Sequence, residues 1–147
     1  MNNEPNGIFL ELERWFGNTE KKGILQIGNF TGGFFKRFVE FGFKNVNYIE
    51  NEELNKMTDK TKVFYFIRNE FQNFNTIFIN ANEYEYDIVS EGIPANIDVI
   101  IIRFNKNQKR VKMDTLIKFI EFCGLDQKYL AEHKKGDIVD LFFIRRK

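Results

Sequence analysis

Apolar and polar positions along this chain fall into blocks that switch between a strand period and a helix period. Ile24-Leu25-Gln26-Ile27-Gly28 is a short apolar run ending in glycine. Bounded by a turn signal, it reads as a buried strand. Gly33 to Phe41 carries apolar residues at helical spacing, and Gly42 is placed as a C-terminal cap. Val46 to Glu50 reads as a second strand and Ile77 to Asn80 as a third. Ile97 to Phe104 is the most apolar run, and its β-branched residues mark a central strand. Met113 to Phe122 reads as a helix ending near Gly124, Tyr129 to Glu132 as a short strand, and Ile138 to Arg145 as the last strand.

The remaining segments are less regular. Ile8, Leu12, Trp15 and Phe16 have the spacing of a short amphipathic helix that Gly17-Asn18 would end. Asn51 to Thr61 is polar and opens with a helical turn. Lys62 to Phe71 has β-type residues where a crossover helix is needed, and both readings stand. Asn82 to Ser90 is an acidic loop or short helix, and Gly92-Ile93-Pro94 marks a loop.

Strands that alternate with helices predict an α/β fold: a three-layer Rossmann-like sandwich with a mostly parallel sheet and right-handed crossovers. The last two strands meet around Lys134-Lys135-Gly136, which predicts an antiparallel hairpin at one edge of the sheet. Between Arg103 and Met113 there is too little chain for a further helix and strand. The 147 residues fit one domain over residues 1–147, with no repeat, linker or low-complexity segment.

Composition narrows the function classes. Hydrophobic residues make up 43% of the chain, enough for a core at this length. The 22 basic and 21 acidic residues nearly cancel, so charge gives no reason to expect nucleic acid or an anionic membrane as partner. One cysteine, Cys123, excludes an internal disulfide and a multi-cysteine metal site, and fits a reducing compartment. One histidine, His133, argues against a multi-histidine metal centre, so no metal is expected. The N-terminus lacks a basic stretch followed by an apolar one, and no apolar run is long enough to span a bilayer. The expectation is a cytoplasmic protein.

Chemistry concentrates in the first glycine turn. Gly28 permits a tight strand-to-helix turn, and Gly32 and Gly33 remove Cβ where backbone must approach a ligand. The following helix offers unpaired N–H groups and a positive dipole end. Glu50 ends the second strand, where a carboxylate can accept hydrogen bonds from a ribose diol. The turn is neither G-x-G-x-x-G nor a phosphate-binding loop, since Phe34 stands where a lysine should follow Gly33.

Leu25-Gln26-Ile27-Gly28-Asn29-Phe30-Thr31-Gly32, followed by Tyr48-Ile49-Glu50-Asn51, resembles the first two motifs of class I S-adenosylmethionine-dependent methyltransferases. The FkbM-type branch is the nearest in flavour. The resemblance spans roughly residues 20 to 104. It implies a methyltransferase-type sheet and S-adenosylmethionine as cofactor. Gly28, Asn29 and Gly32 would line the methionine part and Glu50 would bind the ribose. Asn80, Ala81 and Asn82 would match the acid-alanine pair beside the adenine. The sequence departs from the pattern at Gln26, where the family has an acid, and at Arg103-Phe104-Asn105, where the FkbM branch has an acid followed by Glu-Gly.

Other residues have a functional and a structural reading. Arg103 would hold an anionic substrate at the sheet's carboxyl edge, or pair with a nearby acid. Lys106, Lys109, Arg110 and Lys112 form a basic loop, read as solvated. Glu83, Glu85, Asp87 and Glu91 read as a solvated acidic face, and Tyr84 and Tyr86 as packing or as stacking partners. His133 reads as a surface residue and Cys123 as core. Two functions follow from the whole: a small methyltransferase acting on an unknown acceptor, or an inactive relative serving as a binding or regulatory module. The second would show many exposed Phe rings in one patch. In either case the short chain leaves room for a homo-oligomer or a protein partner to complete the acceptor site.

Overall fold

The computed structural model describes residues 10, 12–14, 16, 20–29, 33–66, 72–81, 83–133 and 136–146. Six strands form one sheet: β1 (Gly23–Gly28), β2 (Asn45–Glu50), β3 (Thr76–Asn80), β4 (Val99–Asn105), β5 (Leu125–Glu132) and β6 (Ile138–Arg145). Their order across the sheet is β2-β1-β3-β4-β6-β5. The first four run parallel, and β6 joins β4 and β5 antiparallel. The helices are α1 (Gly33–Phe41), α2 (Asn51–Asn55), α3 (Val63–Phe66), α4 (Glu85–Val89) and α5 (Met113–Phe122).

The predicted α/β architecture and the edge hairpin are both present. Lys60–Lys62 forms a 3-10 turn that runs into α3, so the described part of the ambiguous 62–71 segment is helical. Between β4 and α5 the chain makes only a loop, and no strand separates β4 from β6. The strand read over Tyr129 to Glu132 is longer, beginning at Leu125. A register shift between Gln127 and Tyr129 breaks its alternation, and as an edge strand it buries only one face. Both effects hide the strand from a period-two reading.

Alternation on the central strands divides the core in two. Leu25, Ile27, Ile77, Ile79, Ile100 and Ile102 face one side, beneath Leu54, Ile88, Leu116 and Ile120 from the helices. Ile24, Phe78, Ile101 and Phe142 face the other, beneath Leu12, Phe16, Phe38 and Phe43. On that second side the rings interlock edge to face, with centroids 6.0 Å apart for Phe38–Phe43 and 6.2 Å for Phe38–Phe78. Such geometry adds about 0.5–1.5 kcal/mol per pair beyond burial. The Arg145 guanidinium ties the far end of the sheet together, donating to the carbonyls of Ile97 (2.7 Å), Pro94 (3.0 Å) and Cys123 (3.2 Å).

Strand β1 lies in register between β2 and β3, so that Gly28 is level with both Glu50 and Asn80. Gly28 has φ +108°, and a Cβ there would be driven into the Asn80 carbonyl. Glycine is required at this point by the neighbouring backbone. Gly28→Ala should therefore lower stability by about 3 kcal/mol, from left-handed strain plus the displaced β3 backbone. A urea unfolding midpoint near that of the parent would refute this account.

Candidate functional site

The chain passes from β1 outward to β2 and then returns across β1 to β3. That reversal is a topological switch point, where open α/β sheets bind ligands at the carboxyl ends of their strands. Gly28, Asn29, Glu50, Asn51, Asn80 and Ala81 meet there. The Asn29 N–H donates to the Asn80 carbonyl at 2.7 Å, and the Asn80 side-chain amide donates back to the Asn29 carbonyl at 3.1 Å. The Asn51 amide donates to the Asn29 side-chain oxygen. Three asparagines thus lace the ends of β1, β2 and β3 together.

Two of the predicted ligand groups already have protein partners. Glu50 is the N-cap of α2 in a capping box with Glu53, and its own N–H donates to Glu53 Oε1 at 3.3 Å. The Glu50 carboxylate remains exposed. Ala81 is buried, and its N–H donates to Glu85 Oε2 at 2.8 Å. Phe30, Thr31, Gly32 and Asn82 lie outside the described residues, as do Ile8, Trp15 and Gly17-Asn18.

Gln26, where the resembled family has an acid, is 1% exposed, and among the described residues its Oε1 has no hydrogen-bond partner. It lies two residues before Gly28 on the same face of β1. A buried acceptor without a donor is costly unless something supplies one. The exposed Glu50 carboxylate leaves an acceptor at the switch point that hydroxyl donors can reach.

A cleft of about 500 Å³ adjoins this point along the ends of β3, β4 and β6. Asn80, Glu83 and Glu85 line it from the β3 side. Arg103 and Asn105 come from β4, and His133 and Ile138 from the hairpin. Asn80 belongs to both places.

The cleft corrects two sequence expectations. His133 is not a surface residue: its side chain is 11% exposed and its Nε2 lies 3.0 Å from Asp140 Oδ2. Glu85 is not on a solvated face: it is 2% exposed and also accepts from Gln108 at 3.4 Å. Both residues sit among charges in the sequence, which suggests solvent, yet the hairpin and the loop after β3 fold them over the sheet edge.

Arg103 adopts the structural pairing. It stands directly across from Asp140 in the β4–β6 register and binds it through two nitrogens, at 2.9 and 3.1 Å. Of the basic loop, Lys106 pairs with Glu132 at 3.1 Å and Arg110 with Asp87 at 2.6 Å. Tyr84 lies between Lys60 and Arg110, each 4.6 Å from its ring centroid, while Tyr86 packs edge to face on Phe119. Cys123 is half-buried, and burial pushes its thiol pKa up.

Burial favours the protonated form of Asp140, but hydrogen bonds and charge from His133 and Arg103 outweigh it and hold the carboxyl below its usual value. Burial pushes the Glu85 carboxyl up, against the hydrogen bonds from Ala81 and Gln108.

Comparison with models of known families finds no match, and neither does comparison with curated proteins. Solved structures do match. One is the release factor-specific protein-(glutamine-N5) methyltransferase of Alicyclobacillus acidocaldarius, with a TM-score of 0.61 at 8% identity, covering 97% of this chain and 93% of the other. Another is a proposed RNA methyltransferase from Pyrococcus horikoshii, with a TM-score of 0.56 at 15% identity, covering 94% and 80%. The chain has the fold of these class I methyltransferases, and at such identities the likeness extends to the fold alone.

The two carboxylates should respond to pH with opposite sign. Asp140 stays ionised to lower pH folded than unfolded, so its contribution is complete above about pH 4 and is lost as pH falls through the depressed folded value. Asp140→Asn should cost about 3 kcal/mol at neutral pH, with the gap to the parent narrowing in acid. Glu85 favours the fold while protonated, so its contribution is present below about pH 4 and is lost as pH rises through the raised folded value. Glu85→Gln should remove that decline. Urea midpoints measured across acid and neutral pH check both, and parallel curves for parent and variants would contradict the assignment.

Proposed function

We propose that this protein is an S-adenosylmethionine-dependent methyltransferase-like protein. The cofactor would sit at the ends of β1, β2 and β3, and the acceptor in the cleft beside them. The single observation behind this reading is that Asn80, at the switch point, also lines the adjoining cleft. A group bound at Gly28, Glu50 and Asn80 would thus border a group bound at Arg103 and His133.

Glu50 would take the ribose hydroxyls, with Asn29, Asn80 and Ala81 beside the rest of the cofactor. Gly32 would complete the turn. Bound S-adenosylmethionine would supply an electrophilic methyl group. The chain would supply position: methyl transfer depends mainly on proximity and in-line geometry, and fixed geometry can provide several kcal/mol of the barrier reduction, about 7–11 at best. The Arg103–Asp140 pair would act as a rigid wall of the acceptor site, rather than as an anion receptor. The turn at Gly28-Asn29 and the Glu50-Asn51 step are the features that would set the chain near the FkbM-type branch.

The alternative is an inactive relative that serves as a binding or regulatory module. It draws support from the commitment of Glu50 to a helix cap and of the Ala81 N–H to Glu85. It gains none from exposed rings, since among the described residues Phe122 alone of the phenylalanines is largely exposed.

Calorimetry with S-adenosylmethionine and S-adenosylhomocysteine separates the two readings. Saturable binding is expected, weakened at least about tenfold by Glu50→Ala, as loss of a charged hydrogen-bond acceptor predicts. A thermal melt of the variant controls for the lost cap. Absence of heat at millimolar ligand would sink the cofactor reading and leave the binding module.

A further inference from the structure

The two edges of the sheet differ in what keeps other strands away. Strand β5 lies at one edge, with a register shift between Gln127 and Tyr129 and with Asp126, Lys128 and Glu132 along its length. Irregularities and charges of this kind are how sheet edges avoid pairing with another chain. Strand β2 lies at the other edge and has neither device. It pairs in unbroken register with β1, and its interior, Val46-Asn47-Tyr48-Ile49, has no charge, proline or glycine. With β1 on one side only, every second residue of β2 turns its N–H and C=O away from the sheet. Asn45, Asn47, Tyr48 and Glu50 are exposed. Val46 belongs to the core that holds Phe38 of α1, so Val46, Tyr48 and α1 share one side of the sheet. On that side Tyr48 is 48% exposed, and Val39 of α1, which packs on β2, is 50% exposed.

Outward backbone donors and acceptors on a strand are matched by another strand. We propose that this strand is β2 of a second copy, paired antiparallel about a two-fold axis so that the two sheets become one. Such an axis runs through the sheet and keeps equivalent faces together, so it passes between a residue and its own copy. With the axis at Val46, Lys44 would face Tyr48. With the axis at Tyr48, Val46 would face Glu50. At Asn47 both pairs improve together: each Val46 faces Tyr48 of the other copy, and each Lys44 faces Glu50. Aromatic with β-branched, and positive with negative, are the pairs that stabilise antiparallel strands, and the symmetry supplies each of them twice. Lys44 also holds Glu20 at 2.6 Å, but both side chains are exposed and such a pair is worth little. An ammonium has three donors and a carboxylate about four lone-pair sites, so Lys44 can serve two acids, and Glu50 can meet Lys44 and a ribose alike. Because β5 is guarded, the assembly closes at two copies.

Sedimentation velocity of the full chain, from micromolar to submillimolar concentration, tests this. A concentration-dependent equilibrium between monomer and dimer is expected. Asn47→Lys and Asn47→Asp each place like charges across the axis, and each should weaken the dimer at least about tenfold. An equimolar mixture of the two variants should form the dimer again, since opposite charges then meet. Asn47 is exposed, so thermal melts of both variants at high dilution should match the parent. Leu130→Lys, on the guarded edge, should leave the dimer unchanged. Loss of the dimer in Leu130→Lys, an unchanged affinity in Asn47→Lys, or no recovery in the mixture would overturn the proposal. A monomer at every concentration would overturn it as well, and would leave the β2 edge to a strand of another protein.

Discussion

The ends of β1, β2 and β3 must finish level, and the rest of the molecule is arranged around that constraint. Gly28 reaches the Asn80 carbonyl so closely that a single added carbon would part the strands. The Asn29–Asn80 hydrogen bonds then fix the loop after β1 to the loop after β3. Strand β1 can hold this position because Leu25 and Ile27 are buried on one face and Ile24 on the other. Apolar packing on both faces sets the height of the strand, and the polar contacts at its end set the geometry of the candidate site.

The second organising interaction lies across the sheet from the first. Arg103, Asp140 and His133 form a nearly buried charged group where β4 meets the hairpin. A buried ion pair adds little net stability relative to apolar packing, but it penalises any register that separates its members. A one-residue slip of β6 would turn Asp140 to the opposite face and leave Arg103 unpaired. The group therefore pins the antiparallel strand to the parallel sheet, and so gives the cleft a fixed far wall. The near wall is flexible in chemistry, being made of carboxylates and amides from the loop after β3.

These two features make neighbouring sites of different character. At the switch point, acceptors and asparagine amides converge on a glycine turn. In the cleft, Arg103 and Asp140 cancel each other's charge.

Much of this was legible in the chain. The alternation of Ile24 to Gly28, the β-branched run Ile97 to Phe104, and the periodic helix Met113 to Phe122 determined the α/β class and most element limits, because buried strands and amphipathic helices impose their periods directly on the sequence. The positions of Gly28, Glu50 and Asn80 at strand ends were also readable, since turn residues mark where strands stop. Tertiary structure alone decided what those residues touch. The edge strand β5 was obscured by its register shift and its single buried face. His133 and Glu85 looked solvated because their sequence neighbours are charged, whereas the hairpin and the loop after β3 bury them. The pairing of Arg103 with Asp140 spans 37 positions and depends on cross-strand register, which no local pattern encodes. Local periodicity carries the faces and ends of elements. Which charges neutralise each other is settled only when distant strands are brought side by side.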